Sequence, residues 1–175
     1  MKNYRIFSLT ICMLFAFNGK LIAQYYAKYQ DLKNILFNVS VEKLDSKISL
    51  YGFQIDPDTK KYAGSKENYE IRSYNSQDSL KNESFRITIL NEKIHCVEFF
   101  SHSTSMYKYF ESYLKDNLIK DGRIKVGKHL EKDFVDTEVS VRLSKTRQRN
   151  GYLYKVLLVD GVRKKTKNNE EIYMN

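Results

Sequence analysis

Arginine and tyrosine side chains recur inside short stretches in which apolar and polar residues alternate. The stretches are "YEIRSY" (69–74), "FRITIL" (85–90), "FVDTEVSVRLS" (134–144) and "GYLYKVLLVDG" (151–161), and alternation of this kind predicts β-strands. We expect one side of each strand to face the helices, with Ile71, Ile87, Val141 and Leu157 on that side. The other side then carries Arg72, Tyr74, Arg86, Arg142 and Tyr154.

This second set has the composition of a binding surface for an anionic partner. A guanidinium group binds carboxylate or phosphate through two parallel hydrogen bonds, and tyrosine supplies rigid amphipathic area. The alternative is a solvated sheet face, because arginine, threonine and tyrosine are also ordinary strand residues.

A secondary basic patch lies in the loop "KTRQRNG" between the last two of these stretches. Its cations are Lys145, Arg147 and Arg149, and the tail adds Arg163, Lys164, Lys165 and Lys167. Such a run attracts acidic surfaces through a field that salt screens, or it is simply a solvated loop.

No residue pattern indicates catalysis or a metal site. His95, Cys96 and His102 are close in sequence, but neighbours on a strand point to opposite faces, and no CxxC or HxxxH spacing occurs. The chain has neither a GxSxG elbow nor a glycine loop of the phosphate-binding type. We therefore expect no enzyme activity, no metal and no cofactor. Cys96 is expected to be a small buried hydrophobe, the alternative being an intermolecular disulfide.

Residues 1–23 have the layout of a secretory signal. Lys2 and Arg5 precede the apolar run 6–17, and Ala23 stands at the expected cleavage position before Gln24. The apolar run is shorter than the roughly 20 residues that span a bilayer. We expect an exported chain, periplasmic or secreted, whose mature form has no membrane span.

Charge gives a mild preference among partners. The net charge is +9, and residues 1–23 contain three cations and no acid, so the expected mature chain has +6. This excess favours a negatively charged protein, glycan or lipid headgroup, while export argues against nucleic acid.

Helical periodicity predicts helices within 27–51 and after Ser103-Thr104-Ser105, any of which can cap the second helix. They are expected to end at Gly52 and Gly122 respectively. Whether 27–51 is one helix or two is left open by the sequence. The segments 85–90 and 94–101 predict a hairpin. A two-residue loop would place Ile94 and Cys96 on the face of Ile87. A three-residue loop would place Val97 and Phe99 there instead.

A shift of 70 residues relates the two halves of the chain. It superposes Gly52 on Gly122, Leu44 on Leu114 and Ile71 on Val141, the alternative being coincidence among ordinary patterns. We therefore predict a single α+β domain, 24–161, with an antiparallel sheet and helices on one face. It would comprise two tandem αβββ(β) units, 27–101 and 104–161, followed by a polar tail, 162–175.

Several features together resemble small exported proteins of Bacteroidetes-type bacteria. They are the signal ending in Ala-Gln, the mature chain rich in Lys, Asn, Tyr and Ile, the helix closed by "LYGF", and "FFSHSTSMYKYFESYL" after a hairpin. The tandem helix-plus-sheet layout is similar to the beta-lactamase-inhibitor-protein-like group. That resemblance implies interaction or envelope roles, with binding through exposed sheet faces and loops.

The expected function is an exported, non-enzymatic binding module for an anionic partner. One alternative is a structural or assembly factor of the cell envelope, which would need a large apolar patch and a stable protein partner. A second is a small secreted hydrolase, which would need a deep pocket with polarised acids or histidines.

Overall fold

The computed structural model describes residues 27–57, 60–63, 68–165 and 171–174, so the predicted signal segment 1–23 lies outside the described residues. The helices are α1 (Tyr29–Asn38), α2 (Leu44–Leu50) and α3 (Thr104–Asn117). A short 3-10 helix, Val41–Lys43, directly precedes α2. Among the described residues, no helix combines the length and the apolar character needed to cross a bilayer.

The strands fall in two groups separated by α3. Before it lie β1 (Phe53–Ile55), β2 (Lys60–Ala63), β3 (Asn68–Ser76), β4 (Ser84–Leu90) and β5 (Lys93–Ser101). After it lie β6 (Ile119–Val126), β7 (His129–Val135), β8 (Val139–Gln148), β9 (Gly151–Asp160), β10 (Val162–Lys165) and β11 (Glu171–Met174).

One antiparallel sheet contains nearly all of the strands. Its order is β1-β3-β4-β5-β9-β8-β7-β6, and β2 also pairs with β3. The two groups of strands meet at its centre, where β5 pairs with β9. β10 and β11 form a separate antiparallel pair within the predicted tail. The α+β class with an antiparallel sheet is therefore confirmed.

Helices and strands contribute to one buried core. Leu32 and Ile35 of α1 and Phe110 of α3 belong to the same cluster as Phe99 of β5 and Val156 of β9. α1 contacts β5 and β9, and α3 contacts β9 and β6. Alternation along β4 and β9 explains the cluster, because every second side chain lies on the same face. We call the face that carries Phe99 and Val156 the core face.

The region 27–51 forms two helices rather than one. α1 ends at Asn38, and Val39 and Ser40 have extended backbone conformations before the 3-10 helix begins. Gly52 follows the end of α2 with φ of +83°, a left-handed conformation that glycine adopts without a Cβ clash. The predicted role of Gly52 is confirmed.

The predicted helix end at Gly122 is wrong. Ser103, one of the three predicted caps, begins α3 by accepting a hydrogen bond from the Met106 N–H, but Leu118 is already extended with φ of −122°. Gly122 lies inside β6, at a shift in its register with β7. The alternation of Ile124 and Val126 with cations was the local signal for β6, and the helical spacing that ends at Leu118 masked it.

The β4–β5 hairpin combines features of both predicted registers. Its turn has two residues, Asn91 and Glu92, both with positive φ (48° and 65°), as a type I′ turn requires. The register then shifts by one residue, so that Ile94 pairs with Ile89 but Val97 pairs with Ile87. One extra residue in β5, His95, forms this bulge.

The 70-residue shift does not match the order of strands in the sheet. It places β3 on β8 and β4 on β9. Counted outward from the central β5–β9 pair, however, β4 occupies the same place as β8, and β3 the same place as β7. Any correspondence between the halves must therefore follow the strand order and not this shift.

Candidate functional site

Arg72 and Tyr74 lie on the core face and not on the opposite one. The register of β3 with β4 pairs Arg72 with Ile87 and Tyr74 with Phe85, and directly paired residues share a face. Tyr74 is 1% exposed. The prediction that these two residues face away from the core is wrong, because pairing with β4 fixes the face of β3.

Both side chains are tied to carboxylates. The Tyr74 hydroxyl donates to Asp45 Oδ1 at 2.6 Å, and burial raises the pKa of that hydroxyl above its usual range. Arg72 Nε lies 2.6 Å from Glu70 Oε1, and Arg72 Nη1 lies 3.1 Å from Asp45 Oδ1. These contacts hold β3 against α2 and already engage the charge of Arg72.

Tyr154 also lies on the core face, contrary to the prediction. It is 3% exposed, its ring centroid lies 4.8 Å from that of Tyr107 on α3, and its hydroxyl is 3.0 Å from Thr104 Oγ1. The alternation in "GYLYKV" does not identify the buried side of the strand, because tyrosine fits an exposed sheet face as well as a core. Tyr154 lies on the same side of the strand as Val156 and Leu158. Only the buried partners reveal which phase is inside.

Arg86 and Arg142 do lie on the opposite face, where each has an acidic neighbour. Arg142 Nε donates to Asp133 Oδ1 at 2.8 Å, and Arg142 Nη1 lies 3.3 Å from Glu131 Oε2. Arg86 Nη1 lies 3.8 Å from Glu98 Oε2. Lys155 shares that carboxylate at 3.2 Å. In these contacts three cations meet three carboxylates, so this part of the face has no excess positive charge to offer an anion.

Cations instead collect at one end of the sheet, in an open cleft of about 350 Å³. We call it the basic cleft. Its lining residues are Lys125, Gly127, Lys128, His129, Leu130, Lys145, Arg147 and Tyr152. Four of these side chains are Lys or Arg and none is acidic.

Two tight hairpins, β6–β7 and β8–β9, build the basic cleft. β6 and β7 are joined through Gly127 and Lys128, and Gly127 has φ of +55°, as the first central position of a type II′ turn requires. On β8, Lys145 and Arg147 follow Leu143 at two-residue spacing. Their side chains therefore continue the core face to its polar end.

Lys145 is held by aromatic rings. Its Nζ lies 4.0 Å from the ring centroid of Tyr152, 5.7 Å from that of Tyr107 and 5.8 Å from that of Tyr154. The negative faces of the rings attract an ammonium group. Within the described part of the chain, none of the four cations of the basic cleft forms an ion pair with a carboxylate.

His129 is fixed at the wall of the basic cleft. Its Nε2 lies 2.8 Å from Glu131 Oε1, and its Nδ1 lies 2.6 Å from Thr146 Oγ1. Glu131 also pairs with Arg142. Glu131 is thus engaged on the opposite face of the sheet.

The secondary basic patch is brought together in part. Lys145 and Arg147 line the basic cleft, whereas Arg149 stands exposed in the turn between β8 and β9. The side chains of 162–165 and residue 167 lie outside the described residues. Sequence reasoning missed Lys125 and Lys128, although the glycine in "KVGKH" between two alternating stretches was a hairpin signal.

Cysteine and metal chemistry add little to this site. Cys96 is a free thiol on the face opposite the core, between Thr88 and Val159. Burial raises its pKa to about 12, so the thiol is protonated at neutral pH and a weak nucleophile. Among the described residues, no group of three or more His, Cys, Asp or Glu is placed to hold a metal ion.

Comparison of the chain with protein-family models, with curated proteins and with solved structures gives no match.

Proposed function

We propose that the protein is an exported, non-enzymatic binding module that holds an anionic partner in the basic cleft. The observation that carries this proposal is the grouping of Lys125, Lys128, Lys145 and Arg147 around one open cleft without an acidic lining residue. An anion entering the cleft gains charge-assisted hydrogen bonds without first displacing a carboxylate.

We prefer the basic cleft to the predicted arginine surface because carboxylates of the fold already engage the arginines. Arg72 and Arg142 each contact two carboxylates. An anion that recruited them would have to break those contacts. Lys145, by contrast, contacts no carboxylate among the described residues, and three aromatic rings position its ammonium group but leave its charge available.

The proposal includes the organisation of the chain. We take the two strand groups, each preceded by helix, as tandem units joined through β5 and β9, with their helices on the core face. The strand order supports this arrangement, because β5, β4 and β3 stand in the same sequence outward from the centre as β9, β8 and β7. Export and an anionic protein, glycan or lipid headgroup as partner remain predictions from the signal segment and the positive charge.

The test is binding of the purified protein to three anionic probes: poly-L-glutamate, dextran sulfate and phosphatidylglycerol vesicles. The double variant K145Q/R147Q should bind about tenfold more weakly than the parent protein, because two charge-assisted contacts at ~0.5–1 kcal/mol each are lost. Binding of the parent should also weaken as salt is raised, since salt screens exposed charges.

The matched control is K93Q/K108Q, which removes two cations at exposed positions away from the basic cleft. It changes the net charge by the same amount and should retain nearly all of the binding. Equal losses in the two double variants would show that net charge alone matters and would remove the basic cleft as the site. Failure of all three probes to bind the parent protein would overturn the proposed function.

A further inference from the structure

β6 is an edge strand with an unusual surface. It stands at the end of the sheet and, among the described residues, pairs only with β7. Ile119 is 73% exposed, Ile124 45% and Val126 69%, so the strand presents apolar side chains as well as an open backbone edge. An open edge is a template for an added strand.

The hydrogen-bond pattern shows which backbone groups face outward. Consecutive residues of a strand direct their N–H and C=O groups to opposite sides. The Arg147 N–H donates to the Lys128 carbonyl at 3.0 Å, so the backbone of Lys128 points towards β8. The next residue, His129, therefore directs its backbone groups towards β6, where it pairs with Val126.

This alternation continues along β6. Val126 and Ile124 bond to β7, since Ile124 is two residues from Val126 and its register is unbroken. Arg123 and Lys125 alternate with them, so the N–H and C=O groups of these two residues point to the open edge.

The side chains of β6 also alternate between the two faces of the sheet. Lys125 pairs with Leu130, and Arg123 pairs with Lys132, so both cations lie on the side of the sheet where the basic cleft opens. Ile124 and Val126 lie on the opposite side. A strand added at this edge would meet cations on one face and apolar side chains on the other.

We propose that β6 accepts an extended peptide segment in which acidic and apolar residues alternate. The backbone of the segment bonds to Arg123 and Lys125, its acidic side chains face the basic cleft, and its apolar side chains cover Ile124 and Val126. This inference rests on the proposed function, because it names the partner of the basic cleft as an acidic segment of a protein.

A second copy of the chain fits this edge poorly. Two β6 strands paired edge to edge would bring Lys120, Arg123 and Lys125 of each copy close to the same cations of the other, with only Asp121 to offset them. Like charges on paired strands are destabilising. An acidic segment has the complementary charge.

The test uses a seven-residue peptide of alternating Glu and Val, and a block peptide in which the same residues are sorted into an acidic and an apolar half. The alternating peptide should bind at least tenfold more tightly. Its binding should slow amide hydrogen exchange at Arg123 and Lys125 at least tenfold. Ile124 and Val126, which already bond to β7, should change little.

Two modifications probe the backbone bonds separately from charge. A peptide N-methylated on its alternate bonding amides should lose binding, with the protein itself unaltered. The variant Lys125→Pro removes an outward N–H and should also lose binding, and Lys125→Gln, which keeps the backbone, should lose only part of it. Circular dichroism establishes that each variant is folded.

The outcomes separate the two proposals. If dextran sulfate and poly-L-glutamate bind and K145Q/R147Q weakens them, but the alternating and block peptides bind equally, the strand proposal falls and the proposed function stands. If no anion and neither peptide binds, both proposals fall. A dimer in sedimentation that Lys125→Pro disrupts would assign the edge to a second copy and overturn the peptide proposal.

Discussion

Arg72 and Tyr74 show how side chains suited to binding are used to hold the fold. The Arg72 side chain is 14% exposed and lies between Glu70 and Asp45, and the Tyr74 hydroxyl bonds to the same Asp45. Two elements distant in sequence, β3 and α2, are thereby joined. A partly buried hydrogen-bonded charge of this kind costs more to leave unpaired than it contributes when paired.

Arg72→Met should therefore lower the free energy of unfolding by about 1–3 kcal/mol, because Glu70 and Asp45 lose a charged partner. Tyr74→Phe should cost about 1 kcal/mol, the net value of one hydrogen bond. Urea denaturation followed by circular dichroism measures both losses.

Arg86→Met is the matched control. Arg86 is 52% exposed and lies 3.8 Å from Glu98, so its loss should cost less than about 1 kcal/mol. An Arg72→Met protein as stable as this control would contradict the structural role assigned to Arg72.

Among the elements, α1 is attached to the segment after β7 through Lys33, which lies near Asp136 and, at 3.9 Å, near Glu138. Lys33 Nζ lies 2.7 Å from Asp136 Oδ2, and the N–H of Thr137 donates to the other oxygen of the carboxylate at 2.7 Å. The hydrogen bond from Lys33, followed by that from Thr137, lowers the pKa of Asp136 below its ordinary value of 3.8.

A lowered pKa in the folded state means that ionised Asp136 stabilises the fold at pH values above the unfolded pKa. That contribution is lost as the pH falls through the folded pKa. Asp136→Asn should be less stable than the parent by about 0.5–1 kcal/mol at neutral pH, since both side chains are partly exposed. The difference should shrink between about pH 5 and pH 2. A difference that stays constant in urea titrations across this range would contradict the assignment.

Local sequence patterns predicted the helices and strands better than they predicted which side of each strand is buried. "FRITIL" and the caps at Ser103 and Gly52 were sufficient for β4, for the start of α3 and for the end of α2. The face of β3 could not be predicted, because it depends on the pairing of Tyr74 with Phe85, and both phases of "YEIRSY" contain residues that fit a half-buried strand. The basic cleft was half predicted: Lys145 and Arg147 were identified. Lys125 and Lys128 depend on the β6–β7 hairpin, whose first strand was concealed by the predicted helix end at Gly122.

At the scale of the whole molecule, the central β5–β9 pair joins the two groups of strands into one sheet. Residues from both groups belong to one buried cluster. Loss of either group would expose the edge of a central strand and the apolar residues packed on it. No local signal in the sequence gives this pairing, because it forms between segments separated by α3 and three further strands.

The molecule should consequently unfold in a single transition. With 14 tyrosines and no tryptophan, tyrosine fluorescence reports on both groups of strands. Urea unfolding curves from fluorescence and from far-ultraviolet circular dichroism should share one midpoint. Two separated midpoints would show that the groups fold independently.

The bulge at His95 gives β5 one extra residue without changing which side chains the strand buries. Ile94 and Val97 are three positions apart, yet both are in the core, because one intervening residue is unopposed on β4. A chain shortened by that residue returns to simple alternation with the same side chains inside. Deletion of His95 would thus leave the interior unchanged and alter only the local bend of the strand.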